Sequence, residues 1–386
     1  MRTLALSCNR SLAALAVALT VLSSTGAAAA GYLPKEPTKA RRPRVLHPGA
    51  NLAVAQRPSA PASSSASSRA SSTTGTPWLK TEGNRILTED GEPFRGRGAN
   101  VQDTRGCNAC SNQPPDADEV IRRIDELTDV WGANFIRLTL ESGGSPSVLT
   151  DPDYLADIER IVDHVGEKPG VYVLLSLWHD PTFTSMGWPS AETHPVWEQL
   201  AHTFAEDSHV LFGLVNEPQD NYDGALNEEV WQAMNDTVEA IRAVEAEYGE
   251  RRHIITVQGT GGWARHLSYY VDNPITAGGG EDIAYEVHVY DPATAFDDMF
   301  VKPAEEIPVI IGEFGPMHSM SMQDSATLME VAEANDIPYL AWTFHMRCPP
   351  NLIEDFSNGG CGVDMPLEPS DWGRLFMERL AQPWGE

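Results

Sequence analysis

Short apolar runs recur along the chain, and between them lie stretches whose apolar positions follow helical spacing. The runs are Phe94–Asn100, Asn134–Leu140, Val171–Trp178, Val210–Asn216, His253–Gln258, Ile283–Tyr290, Pro308–Glu313 and Tyr339–His345. They are too short for helices and lack clean alternation, as expected of strands buried on both faces. The intervening helices are expected at Asp118–Val130, Asp153–Gly166, Thr193–Ala205, Asn227–Tyr248, Gln323–Asn335 and Asp371–Leu380, with shorter pieces near Trp263 and Phe296. Strands alternating with helices in this way predict an α/β fold, a (β/α)8 TIM barrel, as a single domain over residues 76–386. The rival, a doubly wound open sheet, would usually place a Gly-rich phosphate turn after its first strand. Gly259-Thr260-Gly261-Gly262 follows the fifth strand and reads as a strand-to-helix turn. Ahead of the barrel, Trp78-Leu79, Arg85-Ile86-Leu87 and Asp90-Gly91 read as a short hairpin with an Asp-Gly turn, able to plug one barrel end.

The first 75 residues have a different character. Arg2 and Arg10 flank the start of an apolar run, Leu12 to Val21, that is too short to span a bilayer, and Ala27-Ala28-Ala29-Ala30 offers small residues for cleavage. Residues 1–30 therefore read as an export signal and the protein as secreted, with no membrane association after the signal is removed; an uncleaved N-terminal anchor is the competing reading. Residues 31–75 are rich in Ser, Ala and Pro and read as a disordered linker. Charge divides at the same boundary. Residues 1–75 carry 9 Lys/Arg and 1 Asp/Glu, whereas residues 76–386 carry 18 and 54. Such an acidic body excludes nucleic acid as a partner and suits a neutral substrate. Of the five cysteines, Cys8 falls in the signal; Cys107 with Cys110 and Cys348 with Cys361 are neighbours in sequence and suggest two disulfides in an oxidising compartment. Zinc is the alternative for four thiols, but the paired C-x-x-C spacing of a zinc ribbon is missing.

Active-site residues of such barrels lie at strand C-termini. Those ends carry Asn100, Arg137, Trp178-His179, Asn216-Glu217, His288 with Tyr290, Glu313 and Trp342. Nearly every strand closes on a group able to hydrogen-bond, move a proton or stack on a sugar. Two glutamates at one barrel mouth suit glycoside hydrolysis, in which one carboxyl protonates the leaving oxygen and the other meets the positive charge developing at the anomeric carbon. His288 is expected near Glu217, and Arg137 with Tyr290 near Glu313, which they would hold as a carboxylate. Trp342 would form an apolar floor under a pyranose ring. Trp178, Trp188, Trp197, Trp231 and Trp263 are further candidates for outer subsites, each of which could equally be packing. His179, Asp180 and His288 raise a metal-dependent hydrolase, but no H-x-H or H-E-x-x-H pattern supports it, and no metal or other cofactor is expected.

These residues resemble glycoside hydrolase family 5, the cellulase family of clan A. The resemblance rests on Asn216-Glu217-Pro218, Ile311-Gly312-Glu313-Phe314-Gly315, Arg137 in Asn134-Phe135-Ile136-Arg137-Leu138, Leu177-Trp178-His179, His288-Val289-Tyr290, Trp342 and the opening Gly91–Asn100, and it covers about residues 78–382. It implies a retaining double displacement with Glu217 as acid/base and Glu313 as nucleophile. It further implies Arg137, His179, Asn216, His288, Tyr290 and Trp342 as substrate-binding residues, and a polysaccharide, first a β-1,4-glucan, as substrate. One departure is Ser176-Leu177 before Trp178-His179, where many members carry an Asp. β-Mannan, β-1,3-glucan and xyloglucan remain alternatives, as do transglycosylation and a non-catalytic carbohydrate-binding barrel; the last predicts loss of one glutamate, and both are present. A monomer is expected.

Overall fold

The structure, a computed structural model, describes residues 75–104, 115–140, 147–178, 187–218, 221, 223–358, 360 and 362–385. An antiparallel hairpin comes first, β1 (Leu79–Glu82) and β2 (Arg85–Thr88). Eight parallel strands follow: β3 (Arg97–Gln102), β4 (Phe135–Leu140), β5 (Tyr172–Leu177), β6 (Val210–Gly213), β7 (Ile255–Gln258), β8 (Ile283–Val289), β9 (Val309–Phe314) and β10 (Tyr339–Ala341). They close into a barrel in sequence order, with β10 paired to β3. The crossovers carry α1 (Ala117–Asp125, continued as a π-helical turn to Val130), α2 (Pro152–Gly166), α3 (His194–Thr203), α4 (Asn227–Glu245), α5 (Ser268–Asp272), α6 (Lys302–Ala304) and α7 (Met322–Ala334), and α8 (Asp371–Leu380) ends the order.

The strands resist alternation because both of their faces are buried. Outward residues such as Val101, Leu138, Leu175, Phe212 and Val257 pack against the helices in one large apolar core. Inward residues Phe135, Tyr172, Leu174, Leu211, Ile254, Ala284, Ile310 and Leu340 form a second cluster with Leu79, Ile86 and Phe94. The hairpin and the segment after it thus seal the N-terminal end of the barrel, as expected. The turn is placed differently: the chain reverses at Gly83-Asn84, with Gly83 at φ 61°, and Asp90-Gly91 instead closes a bend after β2, where the Gly91 amide donates to Thr88 O at 2.9 Å. Sequence reading favoured the Asp-Gly pair for its turn chemistry, but Gly-Asn supplies the same left-handed freedom.

Moving up the barrel, the inward side changes from apolar to polar. Asn100, Gln102, Arg137, Thr139, Ser176, Thr256, Gln258, Glu286, His288 and Glu313 are all buried. The apolar floor supplies the packing, and the polar layer above it faces the mouth.

Candidate active site

Arg137 lies at the centre of this polar layer. Its Nη1 donates to Asn100 Oδ1 at 2.9 Å and to Glu313 Oε1 at 3.1 Å, and its Nη2 donates to Asn216 Oδ1 at 2.8 Å. Asn100 is fixed in turn by its amide, which donates to Gly312 O at 2.9 Å. One fully buried guanidinium therefore ties β3, β4, β9 and the segment after β6 together, a use of its planar donor fork that lysine could not reproduce.

Glu313, one residue from the end of β9, is almost wholly enclosed. Its second oxygen accepts from Tyr290 Oη at 2.9 Å, just beyond β8. Burial, with the Glu217 charge adding to it, pushes the Glu313 carboxyl up to about 7, against the pull of His288, Arg137 and Tyr290. Burial and the neighbouring carboxylates drive the Tyr290 phenol upward, so it remains a donor. Glu217 sits differently. It follows β6 by four residues in left-handed backbone, φ 47°, and its N–H donates to Gln258 Oε1 at 3.2 Å. A non-glycine residue held there is strained, as side chains aimed at a functional cleft often are. Its side chain is 26% exposed against 5% for Glu313.

His288 joins the two glutamates. Its Nδ1 lies 2.9 Å from Glu217 Oε1 and 3.5 Å from Glu313 Oε2, and its Nε2 lies 3.1 Å from Glu286 Oε1. Burial alone would lower its affinity for a proton; the charge of Glu313 and the bonds to Glu217 and Glu286 outweigh burial and raise it to about 9. Oxygens of Glu217 and Glu313 and a His288 nitrogen fall within 4.8 Å of one another. That spacing would admit a metal ion, but the Arg137 guanidinium and a protonated His288 already supply the cationic charge there.

The cleft above these groups has a volume of about 640 Å³, and its walls include Trp178, Trp263, Arg265, Tyr290, His318 and Trp342. Trp178 and Trp342 stack with ring centroids 5.8 Å apart, a broad apolar plate beside two carboxylates. Trp263, 40% exposed, lines the same cleft. Of the other tryptophans, Trp197 is fully buried and donates to Leu214 O, while Trp188 and Trp231 pack on the main core.

The structure thus brings together Arg137, Asn216, Glu217, His288, Tyr290, Glu313 and Trp342. His179, Cys107, Cys110 and Cys361 lie outside the described residues. Sequence reasoning missed Glu286, Gln258 and the rim residues Arg265, Asp291 and His318. A signal existed for Glu286: Ala284, Glu286 and His288 alternate onto one face of β8, so a strand that turns its histidine inward turns this glutamate inward too.

A parallel (β/α)8 barrel with paired carboxylates at its C-terminal mouth is the class that fold and site define. The family model for cellulase (glycosyl hydrolase family 5) matches residues 87–347, and the chain belongs to that family. Endoglucanase 1 of Ruminococcus albus is 28% identical over 265 residues, 58% of this chain. The chain spans 64% of that relative's length, less than two thirds. A mannan endo-1,4-beta-mannosidase of Salipaludibacillus agaradhaerens is 20% identical over 299 residues, 76% of this chain and 88% of that protein. Among solved structures, a beta-glucanase of Saccharophagus degradans in complex with cellotetraose has a TM-score of 0.61 at 22% identity, covering 79% of this chain and 93% of its own; at that identity the likeness is one of fold.

Proposed function

We propose that the chain is a secreted, retaining endo-β-1,4-glucanase in which Glu313 is the nucleophile and Glu217 the acid and then the base. The observation that carries this reading is the unequal treatment of two facing carboxyls. One oxygen of each lies within 4.8 Å of the other, a close approach that suits the roughly 5–5.5 Å carboxyl separation of retaining enzymes better than the roughly 6.5–9.5 Å of inverting ones. Arg137, which has no acceptor, and the Tyr290 hydroxyl both donate to Glu313, which favours its anion. Two interacting carboxyls titrate as a unit, and burial raises the Glu313 carboxyl to about 7. Because Glu313 is the acceptor of two donors, Glu217, the more exposed of the two, is the one assigned to give a proton to the leaving group.

The reaction follows from this placement. Glu313 attacks the anomeric carbon as Glu217 gives its proton to the glycosidic oxygen, and the bond to the leaving sugar breaks. A glycosyl ester on Glu313 results. Glu217, now a carboxylate, takes a proton from water, and the water oxygen attacks the same carbon and frees Glu313, so configuration is retained overall. Asn216, oriented by Arg137, is placed to hydrogen-bond a hydroxyl of the sugar over Glu313, and Trp342 with Trp178 forms its apolar support. His179 is proposed to bind the same sugar on the family pattern alone. No cofactor takes part. Residues 1–30 are proposed as the export signal, 31–75 as a linker and 76–386 as the catalytic domain acting as a monomer, its acidic surface matching an uncharged polysaccharide.

The mannanase relative, matched over more of the chain than the endoglucanase, favours β-1,4-mannan as the second reading. Hydrolysis of carboxymethylcellulose, galactomannan, xyloglucan and laminarin separates them. We expect the highest kcat/KM on the cellulose derivative; activity confined to galactomannan would overturn the glucan assignment and leave the carboxylate roles intact.

A further inference from the structure

Glu286 lies below the catalytic pair, fully buried, two residues before His288 on β8. A carboxylate in a barrel interior is costly unless its oxygens are met. Here each is. Thr256 Oγ1 donates to Oε2 at 2.6 Å, while Oε1 lies 2.9 Å from Arg137 Nε and 3.1 Å from His288 Nε2. The space it occupies exists because residue 312 is glycine: a Cβ there would come within 2.1 Å of Glu286 Oε1. Glu286 reaches no part of the cleft wall, so it touches no substrate.

We propose that Glu286 is a positioning residue that keeps His288 doubly protonated and its Nδ1–H aimed at Glu217, an inference resting on the acid/base role proposed above for Glu217. An ionised carboxylate only accepts hydrogen bonds. Ionised Glu286 accepts the hydrogen bond of one ring nitrogen, and with Glu217 Oε1 accepting at the other the ring is an imidazolium. The charged groups facing the ring are Glu217 after β6, Glu286 on β8, Glu313 on β9 and Arg137 on β4; Gln258 on β7 adds a neutral amide 3.4 Å from Nε2 and Tyr290 a phenol. Arg137 and His288 contribute two positive charges; Glu286 and Glu313 contribute two negative charges. The set is neutral when Glu217 holds the shared proton. Burial raises the Glu286 carboxyl, but Arg137, His288 and Thr256 reverse that and bring it down to about 2, so it stays ionised throughout the working range. The imidazolium holds Glu217 Oε1 as an acceptor and leaves Oε2 to carry the proton. It then steadies the carboxylate that forms when the proton departs.

The test is 15N NMR of histidine-labelled protein, with His288 assigned by loss of its signal in His288→Asn. In the wild type His288 should remain an imidazolium at pH 8; a neutral ring there overturns the proposal without any variant. In Glu286→Gln, which keeps the shape and removes the charge, its titration should fall by about one pH unit or more. Turnover of a cello-oligosaccharide, whose leaving sugar needs a proton, should drop about tenfold or more in kcat with KM little changed. Glu286→Asp should recover part of both and covers the case in which the glutamine variant does not fold. An unmoved His288 titration, or an unmoved kcat, in the variants contradicts the assignment. Because the NMR readout needs no turnover, it separates failure of this inference from failure of the glycosidase reading.

Discussion

Glu217 and Glu313 are the same residue type a few ångströms apart, and their unequal surroundings underlie the opposite tasks proposed for them. Glu313 accepts from Arg137 and Tyr290, whereas Glu217 faces the cleft with one imidazole behind it. Two predictions belong at this scale. Glu217→Gln removes the proton donor and should lower kcat/KM on cellulose derivatives by roughly 10²–10⁴-fold. Much less should be lost on aryl glycosides with acidic leaving groups, which need little protonation, and a loss equal across leaving groups would count against the acid role. The pH profile of kcat/KM should fall on its acid side through about pH 7, because burial raises the Glu313 carboxyl to about 7 and a protonated Glu313 cannot attack. A profile flat from pH 8 down to pH 5 would show that Glu313 stays ionised throughout. The placement of the two carboxyls was legible in sequence because strand ends display their chemistry in order. Glu286 was legible only as an inward residue of β8, since nothing in the sequence shows that Arg137 and His288 close on its carboxylate.

Each barrel strand serves two environments, and the change from apolar floor to polar mouth happens along its length. β9 shows the constraint most tightly. Ile310 packs in the floor, Gly312 yields space to Glu286, and Glu313 enters the cleft, all within four residues. Gly312→Ala should therefore destabilise the fold by about 1–3 kcal/mol through overpacking. It should also depress turnover by displacing Glu286, both measurable from thermal melting and kcat; unchanged melting and rate would mean the barrel centre is looser than its geometry indicates. Element positions were largely legible, because buried strands and amphipathic helices each leave a periodic trace. Ends were less so. The run read as Val210–Asn216 pairs only through Gly213, since the chain turns away to place Asn216 and Glu217, and Tyr339–His345 pairs only through Ala341 before Trp342 enters the cleft. Hydrophobicity continues past the last ladder bond in both, which sequence pattern cannot detect.

For the whole molecule the dominant feature is charge. Residues 76–386 hold three times as many acidic as basic side chains, and many ion pairs, such as Arg85 and Arg95 with Asp336, lie at exposed positions where each contributes little. Self-repulsion should therefore outweigh pairing. Raising sodium chloride from about 0.05 M to about 1 M should raise Tm, because screening weakens repulsion between exposed charges; a fall in Tm would mean that surface pairs matter more than net charge. Among the described residues no helix is long and apolar enough to cross a membrane. Composition made the charge readable. Substrate choice was not readable, because it depends on loop geometry around Trp178, Trp263 and His318 rather than on any motif.

The proposed mechanism turns on Glu313 forming the bond to sugar. Incubation with a 2-deoxy-2-fluoro-β-cellobioside bearing an activated leaving group, followed by peptide mass spectrometry, reads out that bond. One fluorocellobiosyl adduct per chain is expected, on Glu313, released slowly when an acceptor sugar is added. An adduct on Glu217, or rapid turnover giving the inverted anomer with no adduct formed, would contradict it.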